Sequence, residues 1–383
     1  MVSFRFFLGF VLSLILVPFA IAVESTISEI EMDGTIRTAN GILPISRILS
    51  SEAQDAMRNH LVNGGRSKAG LIARYKACGL SNLDEDFGDP VKLLDARHCF
   101  IDNLNLSEKI SKLKKIHPVY VDSIEINGVE VDVVMPKSGV STRNKNRVLF
   151  YIHGSGRFMD HPLMRLGGSI PAASFGNIKV LGVDHRLAPE GKMADTMADL
   201  AAVYSGVLKE YSAENIGIFG CSAGGHFTAS MIPYLHKIGL PLPGAIAIQG
   251  ENANTIDAGD AFFMISGFGG TPVYKRISSR GQDYLDSVYH TSESKIDDPV
   301  VEPTRHDSII KLFPPTIWMN SMRDPTVSRA VGDHRSMLRN GVETELHLWE
   351  GLPHCFPSMF PEIPETRDWY EQMMKFFDKH LEE

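Results

Sequence analysis

Apolar and polar residues alternate with a period of two from Val119 to Pro136, interrupted only at Asn127-Gly128. That pattern predicts a hairpin, because Asn-Gly supplies the positive φ values that a tight two-residue turn demands. Downstream, short apolar runs alternate with longer stretches of helical period. The runs at 147–154, 177–185, 215–220, 244–250, 314–321 and 343–351 read as buried strands. Residues 196–211, the stretch after Ser222, 327–341 and 365–381 read as helices. Such alternation predicts an α/β fold whose mostly parallel sheet is covered by helices on both faces. Residues 251–313, after the sixth strand, break the rhythm. They are too many for a strand-to-helix loop and rich in Gly, Asp and Ser, which predicts an inserted lid.

Upstream of the hairpin the chain is different. Residues 23–116 read as a polar, helix-leaning extension, with amphipathic segments at 50–65, 90–104 and 107–116, that would form a cap. Before it, Arg5 leads into a compact apolar block that ends at Ala20-Ile21-Ala22. A positive start, an apolar run and small residues at the −3 and −1 positions describe a secretory signal cleaved after Ala22. The expected organisation is therefore a signal at 1–22, an extension at 23–116 and the α/β domain at 117–383. The protein is expected to be secreted or periplasmic, with no stable membrane insertion once the signal is removed.

Composition narrows the function. The 383 residues, 43% of them hydrophobic, suffice for a large core. The net charge of −8 is spread along the chain and leaves no basic patch, so no nucleic-acid partner is expected. Neither the cysteines nor the histidines are spaced as metal ligands, so no metal is expected.

The candidate chemistry lies at Gly220-Cys221-Ser222-Ala223-Gly224, between a predicted strand and a predicted helix. Cys221 and Ser222 are both possible nucleophiles. A nucleophile on such a sharp turn needs very small neighbours two residues away, where backbone and helix crowd together. For Ser222 these are Gly220 and Gly224; for Cys221 they would be Phe219 and Ala223, and Phe219 would clash. Ser222 is thus the candidate nucleophile.

A serine hydroxyl needs a base to take its proton and an acid to orient that base. In a parallel sheet, functional groups gather beyond the carboxyl ends of the strands. Asp324 follows the strand at 314–321 and His354 follows the strand at 343–351, giving the chain order Ser, Asp, His. His153, His185 and His226 are less well placed as the base. His153-Gly154-Ser155-Gly156 directly follows a buried strand, and its small residues would let backbone N–H groups reach an oxyanion. The candidate donors are the N–H groups of Ser155, Gly156 and Ala223.

With "HGSG" ahead of "VDHRLAPE" (183–190) and "GCSAGG", residues 119–383 resemble the hormone-sensitive-lipase-like branch of the α/β-hydrolases. That resemblance implies an α/β-hydrolase fold with an eight-stranded sheet, a small-molecule ester substrate and no cofactor. Position by position it implies Ser222 as nucleophile, His354 as base, Asp324 as acid and His153, Gly154, Ser155 and Gly156 as the oxyanion loop. Its activity class is a serine carboxylesterase; lipase, lactonase and amidase or peptidase are alternatives on the same fold. The chain departs from the pattern where Ser155 replaces a glycine and His185 a tyrosine, and in its long extension and lid.

Four cysteines remain. Cys221 adjoins the nucleophile and Cys355 the base, so assembling the site would bring them together as a disulfide, leaving Cys78 and Cys99 to staple the extension. In "HRLAPE", Arg186 and Glu190 are expected to pair and pin a loop. One glycosylation-type sequon, Asn105-Leu106-Ser107, is present.

Overall fold

The computed structural model describes residues 29–33, 35–38, 41–63, 76–79, 89–102, 104–154, 156–251, 259–261 and 298–382. The expected signal, Ser155 and most of the expected lid lie outside them.

An eight-stranded sheet organises the molecule: β1 (Val119–Ile126), β2 (Val129–Pro136), β3 (Val148–Ile152), β4 (Lys179–Val183), β5 (Ile216–Cys221), β6 (Ala245–Gln249), β7 (Thr316–Ser321) and β8 (Thr344–Trp349). Their spatial order is β1-β2-β4-β3-β5-β6-β7-β8. β1 and β2 form the expected hairpin, with Ile126 paired to Val129 and Asn127 and Gly128 both at positive φ. β2 meets β4 antiparallel, and every later pairing is parallel.

Period-two side-chain alternation divides the core between the two faces of the sheet. Phe150, Ile218, Ile248 and Trp318 point to one face, under α5 (Met193–Val207), α6 (Ala223–Lys237) and α7 (Val327–Arg339). Leu149, Phe219, Ala247 and Ile317 point to the other, under α4 (Pro162–Gly176) and α8 (Pro364–His380). Because both faces are covered, β3, β6 and β7 are buried along their whole length.

The extension contributes α1 (Ser51–Asn63), α2 (Pro90–Asp102) and α3 (Leu106–Ile116). Its first described segment is a small antiparallel sheet, Glu29–Ile30, Ile36–Thr38 and Gly41–Leu43, where the sequence reads as helix-leaning. The described helices dock on both faces of the main sheet. α1 and α3 send Ala53, Met57 and Leu113 into the α8 side, and α2 sends Leu93 and Ala96 into the α5 side. Ser50 fastens this region to α8, its N–H and hydroxyl donating to the Glu365 carboxylate at 2.7 and 2.9 Å. Asn105 of the sequon is the N-cap of α3, accepting the Glu108 N–H. Among the described residues no helix is long and apolar enough to cross a membrane.

Candidate active site

Ser222 occupies the turn between β5 and α6 with φ 60° and ψ −133°. This is a sparsely populated backbone state for an L-residue, costing on the order of 1–3 kcal/mol, and it persists only when surroundings enforce it. Here its N–H donates to Gln249 O, and its carbonyl accepts from the N–H groups of Gly225 and His226. The flanking glycines are required by space. A Cβ on Gly220 would run into the backbone of Gly224 and Ile152, and one on Gly224 into Ile152 O and the backbone of His153.

Three side chains from three strand ends meet in a line. The His354 Nδ1–H donates to Asp324 Oδ2 at 2.8 Å, leaving Nε2 to accept the Ser222 hydroxyl, also at 2.8 Å. Asp324 is fully buried, while the His354 side chain is a quarter exposed. The second carboxylate oxygen of Asp324 accepts the N–H and hydroxyl of Thr326, and Asn320 in turn donates to Thr326. Such a fully hydrogen-bonded buried carboxylate is fixed in direction.

The loop after β3 runs against this turn. A side chain at Gly154 would strike Cys221 O and Ser222 Cβ, so the backbone passes directly beside Ser222. Gly156 follows at φ +59°, exposed, with Ser155 between them outside the described residues. Ala223 is the first residue of α6, where a helix leaves its N–H without an internal acceptor. The His153 ring is buried and stacks on His185, centroids 4.3 Å apart. Burial pushes the His153 imidazole down to about 4, so it stays neutral.

A family model described as an alpha/beta hydrolase fold matches residues 149–358. The chain belongs to the α/β-hydrolase-fold family. It is 27% identical over 268 residues to an AB hydrolase superfamily protein of Schizosaccharomyces pombe, covering 66% of this chain and 76% of that one. It is 24% identical over 239 residues to the carboxylesterase/phospholipase LipF of Mycobacterium tuberculosis, covering 60% of this chain and 61% of LipF. Among solved structures, esterase E25 superposes with a TM-score of 0.68 at 22% identity, covering 88% of this chain and 97% of its own. An esterase of the bacterial hormone-sensitive lipase family superposes at 0.62 and 21%, covering 75% and 91%. At these identities the structures speak for the fold, which is the one expected.

In this α/β-hydrolase both cysteine pairs are bridged, Cys78 to Cys99 and Cys221 to Cys355. The second bridge ties the Ser222 turn to the His354 loop, with Cys355 Sγ 3.7 Å from His354 Nε2. The expected Arg186–Glu190 pair is not formed. Arg186 clasps Asp199 through Nε and Nη2 at 2.8 and 2.7 Å, and Glu190 takes Arg97 of α2 at 2.5 and 2.8 Å. The motif joins two separate neighbours, α5 through Asp199 and the extension through Arg97. His226 serves α6 packing: its Nε2–H donates to Val301 O, and Nδ1 accepts from Arg157.

Two residues of the site escape the sequence reading. Thr326 is signalled by Asp-Pro-Thr, since an Asp side chain accepts the N–H two residues on. Gly250 follows β6 at φ +52°, and a Cβ there would meet Cys355 Sγ, Asp324 Oδ2 and Cys221 Sγ at 3.0, 3.2 and 3.3 Å. Its smallness lets the acid and the disulfide share one space, a demand visible only in three dimensions.

Proposed function

We propose that this chain is a secreted serine carboxylesterase. It hydrolyses carboxylic esters of small to medium apolar or aryl substrates through an acyl-enzyme on Ser222. The reading rests above all on the unbroken relay from Asp324 through His354 to Ser222, with both hydrogen bonds at 2.8 Å. It is supported by the carboxylesterase named among the relatives.

In the first half-reaction Ser222 Oγ attacks the ester carbonyl carbon while its proton passes to His354 Nε2. The negative charge moves to the carbonyl oxygen, which accepts from the backbone N–H groups of Ser155, Gly156 and Ala223. Asp324 stabilises the imidazolium and keeps its Nδ1–H directed inward. The tetrahedral species collapses as His354 returns the proton to the departing alcohol. Water, deprotonated by the same imidazole, then attacks the acyl carbon and frees the acid and Ser222. The chemistry requires no metal or organic cofactor. The extension at 23–116 and the segment at 251–313 would frame the substrate pocket, and cleavage after Ala22 would release the mature enzyme.

Ser222→Ala is expected to lower nitrophenyl-ester turnover by on the order of 10⁴ or more with an unchanged circular dichroism spectrum. Turnover persisting in that variant would remove the reading. An acyl series from acetate to palmitate is expected to peak at short to medium chains. A maximum at the longest chains, rising at a lipid interface, would make it a lipase instead.

A further inference from the structure

We infer that this chain carries a divalent transition-metal site formed by His153, Asp160 and Asp184, separate from the ester-hydrolysing relay. The three side chains come from neighbouring positions at one end of the sheet. His153 follows β3, Asp184 follows β4, and Asp160 precedes α4. Their donor atoms all lie within 4.8 Å of one another. A bound ion with N and O ligands at about 2.0–2.2 Å needs only modest side-chain rotation to draw them in.

Two observations point to a cation. First, the His153 ring is fully buried, yet among the described residues Nε2 has no hydrogen-bond partner. Its other nitrogen, Nδ1, lies 2.9 Å from Gly154 O and donates there, leaving Nε2 as an unprotonated lone pair. A buried acceptor without a donor is costly, and a metal ion would use it. Second, charge is out of balance around the adjoining guanidinium. Arg165 lies 2.8 Å from Asp132, 2.7 Å from Asp184, 3.4 Å from Glu130 and 3.9 Å from Asp160. One positive charge thus faces four carboxylates, with Asp132 and Arg165 themselves about nine-tenths buried. Arg165 meets Asp184 through Oδ1 alone of its two oxygens in the ion pair. A divalent ion would offset two of the three uncompensated charges without displacing the arginine.

The donor set selects the ion. One imidazole and two carboxylates suit zinc or another first-row divalent metal better than calcium, which prefers oxygen alone. The side chains of Asp160 and Asp184 are 36% and 27% exposed, which gives the ion an entry path and room for water as a further ligand. Bound there, it would tie the ends of β3 and β4 to the start of α4 and fix the base of the loop at 153–156.

The test uses the full chain with both disulfides intact, dialysed against a chelator and titrated calorimetrically with Zn²⁺ and with Co²⁺. One ion per chain is expected at micromolar affinity or tighter, with Co²⁺ producing visible d–d bands. Asp160→Asn and Asp184→Asn should each weaken binding by about tenfold or more, while His236→Ala, on an exposed helix end, should leave it unchanged. Should Asp184→Asn fail to fold by circular dichroism, the more exposed Asp160→Asn and the wild-type Co²⁺ spectrum still decide. Binding weaker than about 100 μM in the wild type, or binding untouched by Asp160→Asn, would overturn the site.

Discussion

Ser222 is held in a backbone state that few residues tolerate, and the cost is distributed over neighbours that have no side chain. At this scale the sequence was most readable. Of Cys221 and Ser222, only Ser222 has glycine two residues away on both sides. The structure supplies the reason: the Ile152 and His153 backbone occupies the space a Cβ at Gly224 would need. Gly224→Ala is therefore expected to push α6 away from β3 and misplace Ser222 relative to His354. Overpacking of this kind costs about 1–3 kcal/mol, and a displacement near 1 Å can reduce turnover by about a hundredfold. Thermal melting and ester turnover measured together check this. A variant with wild-type values for both would show that the elbow has room after all.

At the scale of elements, apolar runs were enough to find the strands, because a sheet buried on both faces leaves little else for a strand to contain. They failed for α4. No helix is read over 162–176, yet α4 forms there, and Gly168 is small because the Tyr151 ring lies against it. Tertiary packing overrode propensity there. They failed again at 29–43, where strands of two or three residues carry too little periodicity to register. The Cys221–Cys355 bridge, by contrast, was legible from adjacency alone. It closes 134 residues between the Ser222 turn and the loop carrying His354. That loop is also anchored by the Ser321 hydroxyl, which donates to Leu352 O. Removing the bridge in Cys221→Ser/Cys355→Ser should lower stability by up to roughly 4–5 kcal/mol. Turnover should fall about tenfold, because His354 would sample positions out of reach of Ser222. Urea unfolding and kcat at a saturating short-chain ester measure both effects. Unchanged kcat with reduced stability would make the bridge a staple of the fold alone.

Across the whole molecule, burial has collected neutral imidazoles whose combined titration sets how the fold meets acid. His117, at the junction of the extension and β1, is buried against the Phe175 ring, and burial with Arg367 nearby pushes it down to about 4. Burial holds His153 at about 4 and His185 well below its ordinary value. Each folded-state value lies below the unfolded one near 6.5, so between pH 6.5 and 4 the unfolded chain binds more protons. Their stabilisation is complete above pH 6.5 and is lost as the pH falls through that window. Asp184 works the other way: burial raises it to about 6, so the folded chain takes up its proton first and gains stability below pH 6. Three histidines outweigh one aspartate, and net stability should fall on acidification. His117→Asn isolates one contribution. It removes one titrating group while keeping a planar polar side chain under Phe175. The slope of unfolding free energy against pH between 6 and 5 should shrink by about 1 kcal/mol per pH unit relative to the wild type. Urea denaturation at pH 7, 6 and 5 for both proteins gives the two slopes directly. Equal slopes would mean that His117 takes up its proton in the folded state as readily as in the unfolded one, and that acid enters this fold elsewhere.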